Sequence, residues 1–121
     1  MIINFKEINF YYLTCNNKPR RDNMEEQFKN YKLKPVFPVM GIMKEQSGAT
    51  GFLRVLDKAA QDQPYNKPFQ PFVIFEDDVK ICNKGIPDEI TIPDDADMFY
   101  IGLSKYGIEY NQQIGFRYRS I

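Results

Sequence analysis

The sequence predicts an α/β layered fold with a mainly parallel sheet. Runs of aromatic and β-branched residues at 8–14, 72–75 and 98–104 predict strands, and helical patterns lie between the first two runs. Strands that alternate with helices are typical of parallel sheets, because a crossover helix returns the chain to the edge from which it started.

The first half of the chain predicts a strand, a helix and a short edge strand. The strand "INFYYLT" at 8–14 runs into the polar loop "CNNKP". Pro19 suits the first turn of a helix from about 19 to 32, because proline lacks the N–H that this turn would leave unpaired. The apolar stripe of this helix falls at i, i+4 and i+7 and consists of Met24, Phe28 and Tyr31. Two prolines in "KPVFPV" at 34–39 predict a sheet edge or a short strand.

The second half predicts a longer helix and further strands. The helix is expected to start at Ser47 as N-cap and to end near Gln61. Its buried face is predicted to consist of Phe52, Leu53, Leu56, Ala59 and Ala60. The loop "DQPYNKPFQP" separates it from the apolar strand at 72–75. The strand "MFYIGLS" at 98–104 comes later, and one more strand is expected near 114–119.

Composition indicates one folded domain, because 43% of the 121 residues are hydrophobic and 15% are aromatic. Lysine plus arginine equals aspartate plus glutamate at 16 each, so no net charge favours nucleic acid or an anionic membrane as partner. No run is long enough to span a bilayer and no signal-peptide pattern is present, which together predict a cytoplasmic protein.

The chain contains no histidine, which excludes Ser-His-Asp and Cys-His catalysis and zinc held by imidazole. A bound metal would need oxygen ligands, and these suit magnesium, manganese or calcium. Cys15 and Cys82 match neither a CxxC motif nor a metal-ligand spacing. Reduced structural thiols are the favoured interpretation, and a disulfide is the alternative.

Three consecutive acids end the apolar run in "PFVIFEDDVKI". Neighbouring carboxylates raise the cost of ionising one another, so we expect a positive group beside them or exposure to water. Residues i and i+2 of a strand face the same way, so Glu76 and Asp78 can share one ligand while Asp77 faces the opposite side. A divalent cation that bridges them to a diphosphate is one interpretation, and a solvated strand end is the other.

Arg20 and Arg21 are predicted in the first turn of a helix, where cations oppose the helix dipole. An anionic ligand there would reverse that effect, whereas two solvated arginines would cost little. In "SGATGF", Gly48 and Gly51 match no phosphate-loop or dinucleotide spacing, so they allow either close packing or close approach of a ligand. The acids at 76–78 and the basic cluster "TCNNKPRR" both follow strands, and ligands of parallel sheets bind at such carboxyl ends.

Four segments in this order resemble the glycosyltransferase family 25 pattern: "NNKPRRDNMEEQF", "GATGFLRVLDKA", "PFVIFEDDV" and "DADMFYIGLS". The resemblance covers roughly residues 8 to 104, and its most specific part is the apolar strand into "EDDV". It implies a GT-A-like (Rossmann-like) α/β/α sandwich that binds a nucleotide sugar, usually UDP-linked, together with a divalent metal. The chain lacks the serine and histidine that the family usually carries at the entry to its second helix.

The resemblance also implies roles for individual residues. Glu76 and Asp78 would hold Mn²⁺ or Mg²⁺ against the diphosphate, and Asp77 beside them is the candidate catalytic residue, with orientation of the donor sugar as its expected role. The remaining donor-binding candidates are Thr14, Cys15, Asn16, Arg20, Arg21, Gly48 and Gly51.

The functional expectation is glycosyl transfer from a UDP-linked donor to a glycan or protein hydroxyl. The alternative is a non-catalytic nucleotide-binding or interaction module. Because the chain contains no histidine, a catalytic base would have to be a carboxylate. Asp94, Asp95 and Asp97 precede a predicted strand, which places them at the wrong edge of the sheet. We therefore expect residues 1–121 to form a single donor-binding domain, incomplete at its C-terminus, that transfers sugar poorly by itself.

Overall fold

A computed structural model describes residues 1–15, 17–37 and 44–101, with the backbone alone for 44–49. The predicted strand near 114–119 lies outside these residues. In chain order the elements are β1 (Ile2–Asn4), β2 (Asn9–Leu13), α1 (Lys18–Gln27), β3 (Lys32–Val36), α2 (Lys44–Gln61), β4 (Phe72–Glu76) and β5 (Glu89–Thr91).

The structure is mixed α/β and contains a small parallel sheet, which confirms the predicted fold class at that level. Its three strands lie in the order β3-β2-β4, with β2 parallel to both neighbours. The proline-containing β3 lies at one edge of this sheet, as its sequence predicted. A separate antiparallel pair joins β1 to β5.

Helices α1 and α2 cover opposite faces of the sheet. Phe10 and Tyr12 of β2 belong to a buried cluster with Met24 and Phe28 from the α1 side. Tyr11 belongs to a second cluster, with Val55 and Ala59 of α2. Because successive strand residues face opposite sides, the uninterrupted apolar run of β2 supplies both cores.

Helix α1 begins as predicted but ends early. Asn17 is the N-cap, its side-chain oxygen accepts a hydrogen bond from the backbone N–H of Arg20 at 3.1 Å, and proline occupies the first turn. The helix ends at Gln27 instead of near residue 32, because the chain must turn before β3 begins at Lys32. Tyr31 lies beyond the helix and still packs on the predicted core, stacked on Phe10 at 5.1 Å between ring centroids.

Helix α2 differs from the prediction in its start and in its buried face. It begins at Lys44, so Ser47 lies inside it and is not its N-cap. The residues that it buries are spaced by four and are small: Gly51, Val55 and Ala59. Small side chains let the helix approach the sheet closely, whereas the larger ones need the room on the outer side. Of the predicted face only Ala59 is buried, and the exposed members are Phe52, Leu53, Leu56 and Ala60.

The predicted strand at 98–104 is wrong over its described part, because residues 98–101 belong to no strand. Met98 and Tyr100 are exposed, and only Ile101 packs against the core cluster on the α1 side. Aromatic and branched residues favour strands and cores alike, so the pattern alone did not separate the two. Conversely, β1 and β5 are only three residues long, too short to show a period.

A polar cluster closes the amino edge of the sheet. Asp62, just after α2, accepts a hydrogen bond from the hydroxyl of Tyr11 at 2.7 Å and one from Nζ of Lys34 at 3.0 Å. The Tyr11 hydrogen bond, followed by the Lys34 ammonium, lowers the pKa of Asp62 below its usual 3.8. Burial, together with the Asp62 carboxylate, raises the pKa of Tyr11 far above 10. We define these three residues as the amino-edge cluster.

None of the helices in the described part of the chain combines the length and apolarity needed to cross a bilayer. Cys15 and Cys82 both carry free, exposed thiols. The reduced state that their spacing predicted is therefore the one in the structure.

Candidate functional site

The carboxyl ends of β2 and β4 lie side by side, which brings two of the predicted clusters together. Leu13, the last residue of β2, pairs with Glu76, the last residue of β4. Thr14 extends β2 by one step, because its N–H donates to the carbonyl of Val36 at 3.0 Å. Thr14 therefore lies opposite Asp77, at the edge where α1 also begins.

Asp77 is the acid of this motif that faces the protein. Its side chain follows Val73 and Phe75 in the period-two alternation and so lies on the α1 side of the sheet. The residue is 7% exposed. Its Oδ2 accepts a hydrogen bond from Thr14 Oγ1 at 3.0 Å, and its Oδ1 accepts one from Nη1 of Arg20 at 3.2 Å. Arg20 thus supplies the positive group expected beside the acids.

The hydroxyl of Thr14 has two acceptors within reach and only one proton. Besides Asp77, the carbonyl of Cys15 lies 2.8 Å from Thr14 Oγ1. A hydroxyl donates one hydrogen bond at a time, so the Thr14 proton can move between the two oxygens by rotation alone. The buried threonine therefore keeps an acceptor even when the Asp77 carboxylate is engaged elsewhere.

Arg20 reaches Asp77 from the start of α1, and about half of its side chain remains exposed at 55%. The two guanidinium nitrogens not bonded to Asp77 can therefore donate to a ligand on the same side. Arg21 takes a different position, with its guanidinium over the ring of Phe37 at 5.1 Å. Of the two arginines named as candidates, the structure brings Arg20 to the acids and stacks Arg21 on an aromatic ring.

Glu76 and Asp78, the predicted metal ligands, are both exposed. They flank Asp77, and in the described part of the chain neither shares its partners Thr14 and Arg20. Within the described ranges, no group of three or more acidic or thiol side chains converges in a geometry that would hold a metal ion.

The structure describes the remaining donor-binding candidates to different extents. Cys15 follows Thr14 with an exposed side chain, and Asn16 lies outside the described residues. Gly51 packs on the sheet, since a Cβ atom placed there would lie 3.0 Å from Leu13 Cδ2. Gly48 lies in the backbone of α2, one turn before Gly51. The contact with Leu13 therefore supports close packing as the role of Gly51.

Two cavities in the described part of the chain lie away from the acid motif. A groove of about 320 Å³ between β3 and α2 has a charged rim that includes Arg54, Asp57 and Lys58. A smaller hollow of about 150 Å³ lies at the amino edge beside Asp62 and Gln63.

Gln27, at the last position of α1, also contacts the acidic segment, and sequence reasoning missed it. Its side-chain amide donates to the carbonyl of Val79 at 2.9 Å and accepts from the N–H of Ile81 at 2.8 Å. A single glutamine at the end of a helix carries no sequence signal for such a role, because its partners are main-chain atoms.

Comparison with known proteins finds no family model, curated protein or solved structure that matches this chain.

Proposed function

We propose that the carboxyl edge of the parallel sheet binds the diphosphate of a nucleotide-sugar donor, UDP-linked, for transfer of the sugar to a hydroxyl of a glycan or protein. The observation that supports it is the ion pair between Asp77 and Arg20 at the carboxyl ends of β2 and β4, with the exposed Glu76 and Asp78 on either side of Asp77 in the chain. Open α/β sheets bind ligands at that edge. In this proposal the three parallel strands and two helices are part of a GT-A-like (Rossmann-like) sandwich.

Glu76 and Asp78 are the residues that would hold a divalent ion, Mn²⁺ or Mg²⁺. Their oxygen donors suit these ions, both side chains are exposed, and Asp77 between them already has its own cation. The two flanking carboxylates are thus the acids of the motif whose charge Arg20 does not offset directly. When bound, the metal would stabilise negative charge on the departing nucleoside diphosphate.

Arg20 and Asp77 have complementary roles in this proposal. The Asp77 carboxylate holds one side of the guanidinium, and the exposed part of Arg20 donates to a phosphate oxygen. Asp77 also accepts the Thr14 hydrogen bond, so both of its carboxylate oxygens are engaged at this edge. In its predicted catalytic role Asp77 contacts the donor sugar. That contact requires Asp77 to give up its hydrogen bond with Thr14 or its ion pair with Arg20.

A non-catalytic donor-binding module is the second candidate, and one observation favours it. The buried acid of the motif, Asp77, is already engaged by Thr14 and Arg20. Such a module binds the nucleotide without deprotonating an acceptor hydroxyl.

Thermal unfolding with Mn²⁺ and UDP tests the binding step. A ligand that binds only the folded chain at about one hundred times its Kd adds about 2.7 kcal/mol to the free energy of unfolding. We expect Mn²⁺ and UDP together to raise Tm more than the sum of their separate effects. Glu76→Gln with Asp78→Asn should abolish the metal-dependent part.

The matched control is Glu89→Gln with Asp95→Asn, which removes the same charge from two exposed acids outside the motif. This control should keep the full Tm shift. A full shift in the motif variant, or an equal loss in the control, would show that Glu76 and Asp78 do not hold the metal.

Labelled UDP-sugars with a panel of glycan and hydroxylysine acceptors separate the two candidate functions. We expect binding of the donor with little or no transfer by residues 1–121. Robust multiple turnover would contradict the non-catalytic module and show that a base has been overlooked.

A further inference from the structure

Helix α1 lies along the acidic segment, defined as residues 77–81, and contacts it near both ends of the helix. Arg20 in the first turn pairs with Asp77, and Gln27 in the last turn bonds the main chain at Val79 and Ile81. The residues Arg20, Met24 and Gln27 follow at i, i+4 and i+7, which is one face of a helix. This face therefore meets the start and the end of the segment.

The two hydrogen bonds of Gln27 imitate the pairing of a strand. Its amide donates through Nε2 to the Val79 carbonyl and accepts through Oε1 from the Ile81 N–H. Of the side chains of similar shape, only a glutamine offers both a donor and an acceptor at this length, since glutamate is acceptor-only when ionised. The side chains of Val79 and Ile81 pack on the core cluster of the α1 side, so the segment is held from two directions.

We propose that Gln27 is a positioning residue, which sets the acidic segment against α1 and thereby fixes Asp78 relative to Arg20. The consequence for a bound metal rests on the proposed function, whereas the positioning itself does not. Asp78 directly precedes Val79 in the chain, so movement of the Val79 backbone would also move the Asp78 carboxylate. Residues that orient metal ligands from behind commonly affect affinity without touching the ion.

The chain contains a matched control at the other end of β4. Gln63 makes the same two-point contact, its Nε2 donating to the carbonyl of Gln70 at 3.0 Å and its Oε1 accepting from the N–H of Gln70 at 2.8 Å. Gln63→Ala therefore removes the same kind of bonds as Gln27→Ala. It removes them from the amino side of β4, away from the acids.

The experiment measures amide hydrogen exchange by NMR and the affinity for Mn²⁺ alone, in the whole chain and in three variants. Gln27→Ala should speed exchange of the Ile81 N–H about tenfold, the effect of losing one hydrogen bond. Mn²⁺ affinity should fall about tenfold or more. Gln27→Glu keeps the acceptor for Ile81 but places a carboxylate oxygen against the Val79 carbonyl, so its Ile81 exchange should be slower than in Gln27→Ala and faster than in wild type. Gln63→Ala should match wild type in both measurements.

Unchanged Ile81 exchange in Gln27→Ala would overturn the positioning role, and so would an equal loss of Mn²⁺ affinity in Gln63→Ala. If the wild-type chain binds no Mn²⁺, the metal part of the proposed function fails. The positioning of the segment is then decided by Ile81 exchange and by the carboxyl ¹³C signal of Asp77, which should move in Gln27→Ala and stay in place in Gln63→Ala. Should Gln27→Ala not fold, Gln27→Met, which removes both hydrogen bonds at a similar side-chain length, is compared with Gln63→Met by the same two signals.

Discussion

The two edges of the parallel sheet carry clusters of the same composition. At the amino edge, Asp62 meets the Lys34 ammonium and the Tyr11 hydroxyl. At the carboxyl edge, Asp77 meets the Arg20 guanidinium and the Thr14 hydroxyl. Each cluster thus contains one carboxylate, one cation and one hydroxyl from β2 or its extension.

The clusters differ in the number of further acids beside them and in whether their hydroxyl has a second hydrogen-bond acceptor. One lysine directly offsets Asp62, and that aspartate is the acceptor of the buried Tyr11 hydroxyl. At the carboxyl edge two exposed acids flank Asp77, and Thr14 has the Cys15 carbonyl as a second acceptor. The amino-edge carboxylate is thus paired with one cation, whereas the carboxyl edge has two further acids that its arginine does not offset directly.

Removal of the carboxylate should separate the two edges most strongly. We expect Asp62→Ala to lower the free energy of unfolding by about 2–3 kcal/mol, because the Tyr11 hydroxyl and Lys34 both lose their acceptor. Asp77→Ala should lower it by less than about 1 kcal/mol, because Thr14 can donate to Cys15 and half-exposed Arg20 can donate to water. Urea unfolding followed by circular dichroism measures both.

The control for this comparison is Asp57→Ala, an exposed acid on α2 that should change stability by at most about 0.5 kcal/mol. Equal losses for Asp62→Ala and Asp77→Ala would mean that the carboxyl edge is as structural as the amino edge.

At the carboxyl edge, removal of the cation should cost more stability than removal of the carboxylate, whereas at the amino edge it should cost less. Arg20→Ala leaves the buried Asp77 carboxylate beside two like charges, and we expect it to cost about 1–2 kcal/mol, more than Asp77→Ala. Lys34→Ala leaves Asp62 with the Tyr11 hydrogen bond, so it should cost less than Asp62→Ala. Urea denaturation of the four single variants measures these losses. The prediction is contradicted if the cation matters more than the carboxylate at both edges, or the carboxylate more than the cation at both.

Acid pH provides the smallest and most specific test. The folded-state pKa of Asp62 lies below its usual 3.8, so its contribution to stability is present above that value and is lost as pH falls through the lowered pKa. Asp62→Asn has no carboxylate to protonate at that position. The stability difference between wild type and Asp62→Asn should therefore shrink as pH falls below 3.8. A difference that stays constant over this range would show that Asp62 titrates alike in both states.

Sequence patterns located the carboxyl edge better than the rest of the molecule. The strands predicted at 8–14 and 72–75 and the helix predicted from about 19 came within one residue of the strand ends at Leu13 and Glu76 and of the helix start at Lys18, although the N-cap Asn17 was not predicted. Parallel pairing then brings the ends together, because every crossover returns to the same edge. The buried face of α2 did not follow, since it carries apolar residues on two sides and the sheet selected the side with small residues.

The sequence by itself determined the alternation of strands and helices, the edge position of the proline-containing β3, and the meeting of acids and arginine at one edge. These depend on period, polarity and backbone restrictions, which act between near neighbours in the chain. Only the tertiary structure decided which acid is buried, which arginine pairs with it, and that Gln27 bonds the segment behind it. Those choices depend on strand register and helix position, because an ångström of displacement makes or breaks a hydrogen bond between residues more than fifty positions apart.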